Sequence, residues 1–187
     1  MNQPNNKQLQ RINVVGSSGS GKSTFSRKLS TILSVTHIEI DAIFWQPNWQ
    51  EPEEDIFCSK LSAEISPLSN WVLDGNYTRT IPIKWKNVQV VIWLDYSFIR
   101  TVFQAIKRAV TRAFSQKELW AGTGNKETWR SFFSKDSIVL YTIKTHNKVR
   151  REYELLMLDK SYSHIEFVRF RSPKESEQFL NLIKELP

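Results

Sequence analysis

At 187 residues the chain fits one domain with a core of its own, large enough to fold without a disulfide or a structural metal. Its single cysteine excludes an internal disulfide, its three scattered histidines form no zinc-ligand cluster, and no apolar run approaches the ~20 residues that cross a bilayer. The net charge of +7 is concentrated between Arg100 and Arg151, where twelve basic and three acidic residues give a local +9 and leave −2 elsewhere.

Residues 1–10 are polar and Asn/Gln-rich and read as a disordered tail rather than a leader; a cytoplasmic protein without membrane contact is expected. Residues 11–15 (RINVV) form a β-branched run ending at Gly16, the pattern of a buried strand. Over 23–34, Phe25, Leu29, Ile32 and Leu33 recur at helical spacing. A second strand is expected over 37–40, ending in Asp41. Residues 51–68 carry acids in their first turn, Pro52 near the start and apolar Ile56, Phe57, Leu61 and Ile65, which predicts a helix. Residues 71–73 read as a third strand running into Asp74-Gly75, and 88–94, nearly all apolar, as a fourth strand covered on both faces. A basic helix is predicted over about 97–114 and a long one over about 137–158; between them 115–135, with Gly122 and Gly124, reads as a mobile insert. Residues 165–170 form the fifth strand. Ser172-Pro173-Lys174-Glu175 then opens a last helix as a capping box, with Phe179, Leu182, Ile183 and Leu186 on its inner face. Strand and helix alternate five times, so 11–187 is expected to be a single α/β domain, a parallel sheet with helices on both faces and a lid.

The strongest chemical signal is Gly16-Ser17-Ser18-Gly19-Ser20-Gly21-Lys22-Ser23, the phosphate-binding pattern G-x4-G-K-[ST], followed by Thr24. Glycines let the backbone curl so that successive N–H groups point inward at phosphate oxygens. In this pattern Lys22 reaches the β- and γ-phosphates, the Ser23 hydroxyl sits on Mg²⁺, and the N-terminus of the following helix adds its dipole. The motif follows a strand and opens a helix, the context it requires. A nucleoside triphosphate is therefore the expected ligand, held by residues 16–24.

With this motif the chain resembles the nucleotide-kinase branch of the P-loop NTPases, the adenylate-kinase-like proteins. More narrowly it is similar to small bacterial proteins labelled DNA topology modulation proteins. The resemblance also rests on Asp41 with Phe44-Trp45-Gln46-Pro47-Asn48-Trp49, on Trp71-Val-Leu-Asp-Gly-Asn-Tyr77, on Leu119-Trp120 with Gly124-Asn125-Lys126-Glu127, and on Arg171-Ser-Pro-Lys-Glu175. It implies a three-layer fold with strand order 2-3-1-4-5, a small helical lid, and ATP and Mg²⁺ as ligands. It also implies a metal-side carboxylate, with Asp74 and Asp95 as the two candidates; the Leu-Asp-Gly turn followed by Arg79 favours Asp74. Arg79 then stands for a phosphate-binding arginine of the acceptor, although it lies one residue further on than in adenylate kinases. Lys126 keeps the charge but not the planar fork of the arginine that the narrower group carries there.

In related small-metabolite kinases a carboxylate at the position of Asp41 orients or deprotonates the acceptor hydroxyl. Phe44, Trp45, Trp49 and Tyr77 would roof an acceptor with a flat ring or simply pack as core. Arg108 and Arg112 share a helix face, and with Arg130 they are the candidates for cations that a closing lid brings onto the transferring phosphate.

The reading is thus a kinase that moves the γ-phosphoryl of Mg-ATP to a small-molecule acceptor, a nucleoside monophosphate or a hydroxylated metabolite, working as a monomer or homodimer. The alternative is a nucleic-acid-associated regulatory ATPase that uses the basic 100–151 segment. No helix-turn-helix or RNA-binding aromatic pattern supports the latter, and a switch GTPase would need an Asn-Lys-x-Asp motif that the chain lacks.

Overall fold

The computed structural model describes residues 9–135 and 137–185. Five strands, β1 (Arg11–Gly16), β2 (Thr36–Glu39), β3 (Trp71–Asp74), β4 (Val90–Leu94) and β5 (Glu166–Phe170), form one sheet in the order β2-β3-β1-β4-β5. Every neighbouring pair is parallel, with Ile12 opposite both Val72 and Val90, and Val90 opposite Glu166. The helices are α1 (Lys22–Leu33), α2 (Ile40–Phe44), α3 (Glu54–Ile65), α4 (Ile81–Lys84), α5 (Phe98–Ser115), α6 (Trp129–Phe132), α7 (Ile138–Leu158) and α8 (Pro173–Lys184).

The sheet is buried on both faces because its strands alternate between two cores. Ile12 and Val14 of β1, Val72 of β3, and Val90, Ile92 and Leu94 of β4 face a core shared with Phe25 and Leu29 of α1 and Phe179, Leu180 and Ile183 of α8. Val15, Trp71, Leu73, Val91 and Trp93 face the opposite core with Phe44, Phe57, Leu61, Trp85 and Tyr153. A period of two with apolar residues on both sides is the mark of a parallel strand between two helical layers.

The α/β class, the parallel sheet and its order match the expectation, while the local detail departs from it in identifiable places. The second strand stops at Glu39 and α2 begins at once, so Asp41 lies in the first turn of a helix, where a carboxylate meets the positive end of the helix dipole. The helix expected over 51–68 is shorter, starting after Pro52 and Glu53 and ending at Ile65, two residues before Pro67. Ile56 and Leu182, expected to point inward, are exposed. The polar tail expected over 1–10 falls mostly on residues 1–8, which lie outside the described ones, as does Leu186. Leu9 is buried in the core, and the Gln10 carbonyl accepts the Trp71 N–H. Among the described residues no helix is long and apolar enough to cross a membrane.

Candidate nucleotide and acceptor site

Residues 16–21 join β1 to α1 at the C-terminal edge of the sheet, between the two central neighbours β3 and β4. In an open parallel sheet this is where ligands bind. Two glycines show why the loop needs them. Gly21 caps the start of α1 at φ 91°, a left-handed conformation, with nothing within 4 Å of where a Cβ would stand. Gly19, at φ 84°, lies so close to α5 that a Cβ would meet the Thr101 carbonyl at 2.8 Å and Ala105 at 3.0 Å. Ser17 and Ser20 are buried in the loop, and the Ser20 hydroxyl has no partner there. The Ser23 and Thr24 side chains follow in the first turn of α1 and are exposed.

Lys22 bends back over the loop and donates to the Gly16 carbonyl at 2.9 Å and to the Ser17 carbonyl at 3.2 Å. Burial pushes its pKa down, Arg108 adds to that, and Asp74 and Asp41 oppose it. Asp74 ends β3 beside it. Burial raises the Asp74 pKa to about 6, although the Lys22 charge and the Ser23 hydroxyl pull it down. One oxygen of this carboxylate, Oδ1, is buried without any hydrogen-bond partner. The other expected candidate, Asp95, is already occupied: its Oδ2 takes Arg169 at 2.6 Å and Arg150 at 3.2 Å. It does not cap α5 either, since the N-cap position of that helix is Ser97 and no side chain makes a cap hydrogen bond there.

Asp41 is near enough for its charge to act on both Lys22 and Asp74. Its Oδ1 accepts the Tyr77 phenol at 2.7 Å. Burial first, and then Asp41, push the Tyr77 pKa far up, so the phenol stays a donor. Burial first, and then the Asp41 charge, raise the pKa of Tyr141 on α7. Tyr77 belongs to a ring cluster with Phe44 at 4.8 Å and Phe57 at 5.3 Å between centroids. Arg79 lays its guanidinium over the same two rings, at 5.0 and 5.3 Å, and makes no ion pair among the described residues. Trp45 extends the cluster from Phe44 to Trp49 and Trp120; Trp45 and Trp120 lie nearly parallel, 6.4 Å apart, with Trp49 across both.

The three candidate lid arginines separate. Arg108 reaches the loop itself, donating to the Ser18 hydroxyl at 3.1 Å. Burial and the neighbouring Arg112 push its pKa down, and its Nε has no partner. Arg112 is tied to Glu127 at 2.8 Å. Arg130 is exposed on the short helix α6 and is not brought into contact with the others. The insert is anchored to the 46–49 turn by Asn125, which is 2 % exposed: its amide donates to the Gln46 carbonyl, and its Oδ1 accepts the Trp49 N–H. Asn48 and Trp49 are both in the left-handed region, at φ 60° and 58°. Asn125 therefore braces a strained turn.

Sequence reasoning passed over Asn76, whose side chain grips the first residue of the loop. It accepts the Gly16 N–H at 2.9 Å and donates to the Gly16 carbonyl at 2.8 Å. Its position directly after Asp74-Gly75 was the only available signal. Asn13, within β1, is buried and ties the Leu73 and Gly75 carbonyls to Trp85.

The donors present fit Mg²⁺: a hydroxyl, a buried carboxylate with an unused oxygen, and an anion cradle to hold phosphates. A hard cation of this kind takes oxygen ligands and needs few from the protein when phosphates supply the rest. Comparison with protein-family models and with curated proteins gives no match.

Proposed function

We propose that the protein is an ATP-binding kinase of the P-loop type that transfers the γ-phosphoryl group to a small hydroxyl-bearing acceptor. The observation that carries this reading is the buried, unpartnered Asp74 Oδ1 beside Lys22 and Ser23 at the mouth of the 16–21 loop. A structural turn carboxylate would have used that oxygen, because a buried acceptor without a partner costs about 1–3 kcal/mol.

In this reading the backbone N–H groups of 16–21 and the start of α1 bind the phosphates of ATP. Lys22 leaves its two loop carbonyls for the β- and γ-phosphates. Ser23 and Asp74 would hold Mg²⁺, which when bound neutralises phosphate charge. Arg108, already on Ser18, supplies positive charge to the transferring group from the α5 side. On the other side Asp41 keeps one oxygen on Tyr77 and offers the other to the acceptor hydroxyl. The acceptor oxygen–phosphorus bond forms as the bond to the leaving ADP oxygen breaks, and the hydroxyl proton passes to Asp41.

The alternative, a nucleic-acid-associated ATPase, finds less support in where the basic segment goes. Arg108, Arg112 and Arg150 are used within the chain. The segment also exposes Phe103, Phe114 and Phe133. The test is ADP release from Mg-ATP across a panel of nucleoside monophosphates, nucleosides and small hydroxylated metabolites, with Lys22→Ala and Asp74→Asn alongside. One acceptor that raises turnover many-fold, with both variants inactive, is the expected result. Slow hydrolysis stimulated only by DNA or RNA and lost at higher salt would reverse the choice.

A further inference from the structure

Outside the phosphate loop one buried lysine is satisfied by backbone carbonyls rather than by a carboxylate in contact with it. Lys84, at the end of the four-residue helix α4, is fully buried and makes no ion pair among the described residues. Its ammonium donates instead to two backbone carbonyls of one turn, those of Asn76 and Gly75, the latter at 3.4 Å. Burial pushes its pKa down to about 7, and Glu152 of α7 offsets only part of this. A buried ammonium is an expensive way to satisfy two carbonyls, since an apolar side chain of similar volume is often as stable or more so. Its place is therefore better read from what the turn does.

That turn, residues 74–77, carries three functional contacts at once. Asp74 faces Lys22 and Ser23, the Asn76 side chain closes on both polar groups of Gly16, and the Tyr77 phenol sits on Asp41. Its backbone is tied to the rest of the chain at its ends, where the Gly75 N–H donates to the Val14 carbonyl and the Tyr77 carbonyl accepts the Thr80 N–H. Tyr77 is left-handed at φ 32°, an uncommon state for a bulky residue, and the turn leaves β3 for a three-residue 3₁₀ helix and α4. What braces it is a set of buried polar groups reaching in from beneath. Asn13 takes the Leu73 and Gly75 carbonyls, the Thr80 hydroxyl takes that of Tyr77, and Lys84 takes those of Gly75 and Asn76. Asn13 is in turn fixed by the Trp85 indole, the next residue after Lys84.

We propose that Lys84 is a positioning residue for the nucleotide loop, holding the 75–76 backbone so that Asn76 clamps Gly16 and Asp74 faces Lys22. Its effect on turnover rests on the kinase reading; its effect on Gly16 does not. The connection runs from the Lys84 ammonium through the Asn76 carbonyl to the Asn76 side chain and the loop. It joins the metal side, the phosphate loop and the acceptor carboxylate to one buried group that touches none of the ligands.

The experiment compares wild type with Lys84→Met and Lys84→Gln, the latter keeping two N–H donors without the charge. Amide hydrogen exchange is followed residue by residue, together with Mg-ATP affinity and, where an acceptor is found, kcat and KM. In Lys84→Met the Gly16 amide is expected to lose protection at least tenfold while the amides within β1 and β4 keep theirs. Mg-ATP affinity and kcat should each fall at least tenfold, and Lys84→Gln should recover part of both. Unchanged Gly16 protection in Lys84→Met overturns the proposal. So does an equal loss of protection across the whole sheet in both variants, which marks a residue needed only for folding. If Gly16 loses protection as expected but the wild type neither binds Mg-ATP nor transfers phosphate, the bracing role stands and the kinase reading fails.

Discussion

Arg169 reaches Asp95 with two of its nitrogens, Nη2 at 2.6 Å and Nε at 2.9 Å, while its guanidinium lies 4.1 Å over the Trp93 ring. This ties the ends of β4 and β5 together and draws Arg150 and Glu154 of α7 into the same network. Of the two aspartates that end strands beside the 16–21 loop, Asp95 is thus paired within the scaffold, whereas Asp74 keeps one oxygen unpartnered.

Asp95→Ala should therefore act on stability before activity. It leaves Arg169 and Arg150 with Glu154 as their one remaining carboxylate partner among the described residues, and losing hydrogen bonds of this charged kind destabilises by about 1–3 kcal/mol. Urea unfolding should show that loss, and Mg-ATP affinity measured on the folded variant should stay within a few-fold of wild type. A collapse of affinity with unchanged stability would mean that Asp95, not Asp74, serves the metal.

Asp74→Asn should do the reverse. Burial raises the Asp74 pKa from 3.8 to about 6, so across that window the folded chain keeps a proton that the unfolded chain has lost. Stability then falls as pH rises from about 4 to 6, and the penalty is complete above 6. In metal-free buffer Asp74→Asn should gain up to about 2–3 kcal/mol at pH 8 and nothing at pH 3.5, where both carboxyls are protonated. The same variant should have no measurable phosphotransfer. A variant no more stable than wild type at pH 8 would show that the carboxylate has a partner in solution that the geometry does not give it.

The contrast between these aspartates marks how far the sequence could be read. The sheet was legible because Ile12, Val14, Val90 and Ile92 alternate with Asn13, Val15, Val91 and Trp93 in runs too short for helices, each punctuated by Gly or Asp. The strand–loop–helix around residues 16–23 was legible because its pattern sits in eight consecutive residues. What was hidden depends on partners far away along the chain. Asp95 and Arg169 are 74 residues apart, Asn76 and Gly16 are 60, and Asn125 and Trp49 are 76. No local periodicity encodes such pairs. Short elements were hidden for a related reason: α2 and α4 have five and four residues, too few for a helical period to show.

Asn125 makes the insert and the Gln46–Trp49 turn, the acceptor side of the proposed kinase, one mechanical unit. Asn125→Ala removes both bonds that hold the Gln46–Trp49 turn, in which two successive left-handed residues store strain of about 1–3 kcal/mol each. The turn should relax and separate Trp49 from Trp45 and Trp120. Tryptophan emission should shift to the red, and the KM of the acceptor should rise at least tenfold while Mg-ATP affinity moves less than threefold. Equal effects on both substrates would place Asn125 in the general fold rather than on the acceptor side.

On the proposed kinase reading, the three arginines differ in how close they stand to the transferring phosphate. Arg108 is already at the loop through Ser18, Arg112 is neutralised by Glu127, and Arg130 points to solvent from α6. Removing a preorganised charge from a developing anion costs on the order of 10²–10³ in rate. Arg108→Ala should therefore lower kcat by that factor with a smaller change in the KM of ATP. Arg108→Lys should not restore it, because a point charge cannot hold Ser18 and the phosphate with one planar fork. Arg112→Ala should cost about tenfold or less, acting through the freed Glu127 and the loosened insert. Arg130→Ala should stay within twofold. A loss in Arg130→Ala as large as in Arg108→Ala would show instead that the insert swings α6 onto the loop during turnover, and that closure brings a second arginine to the phosphate.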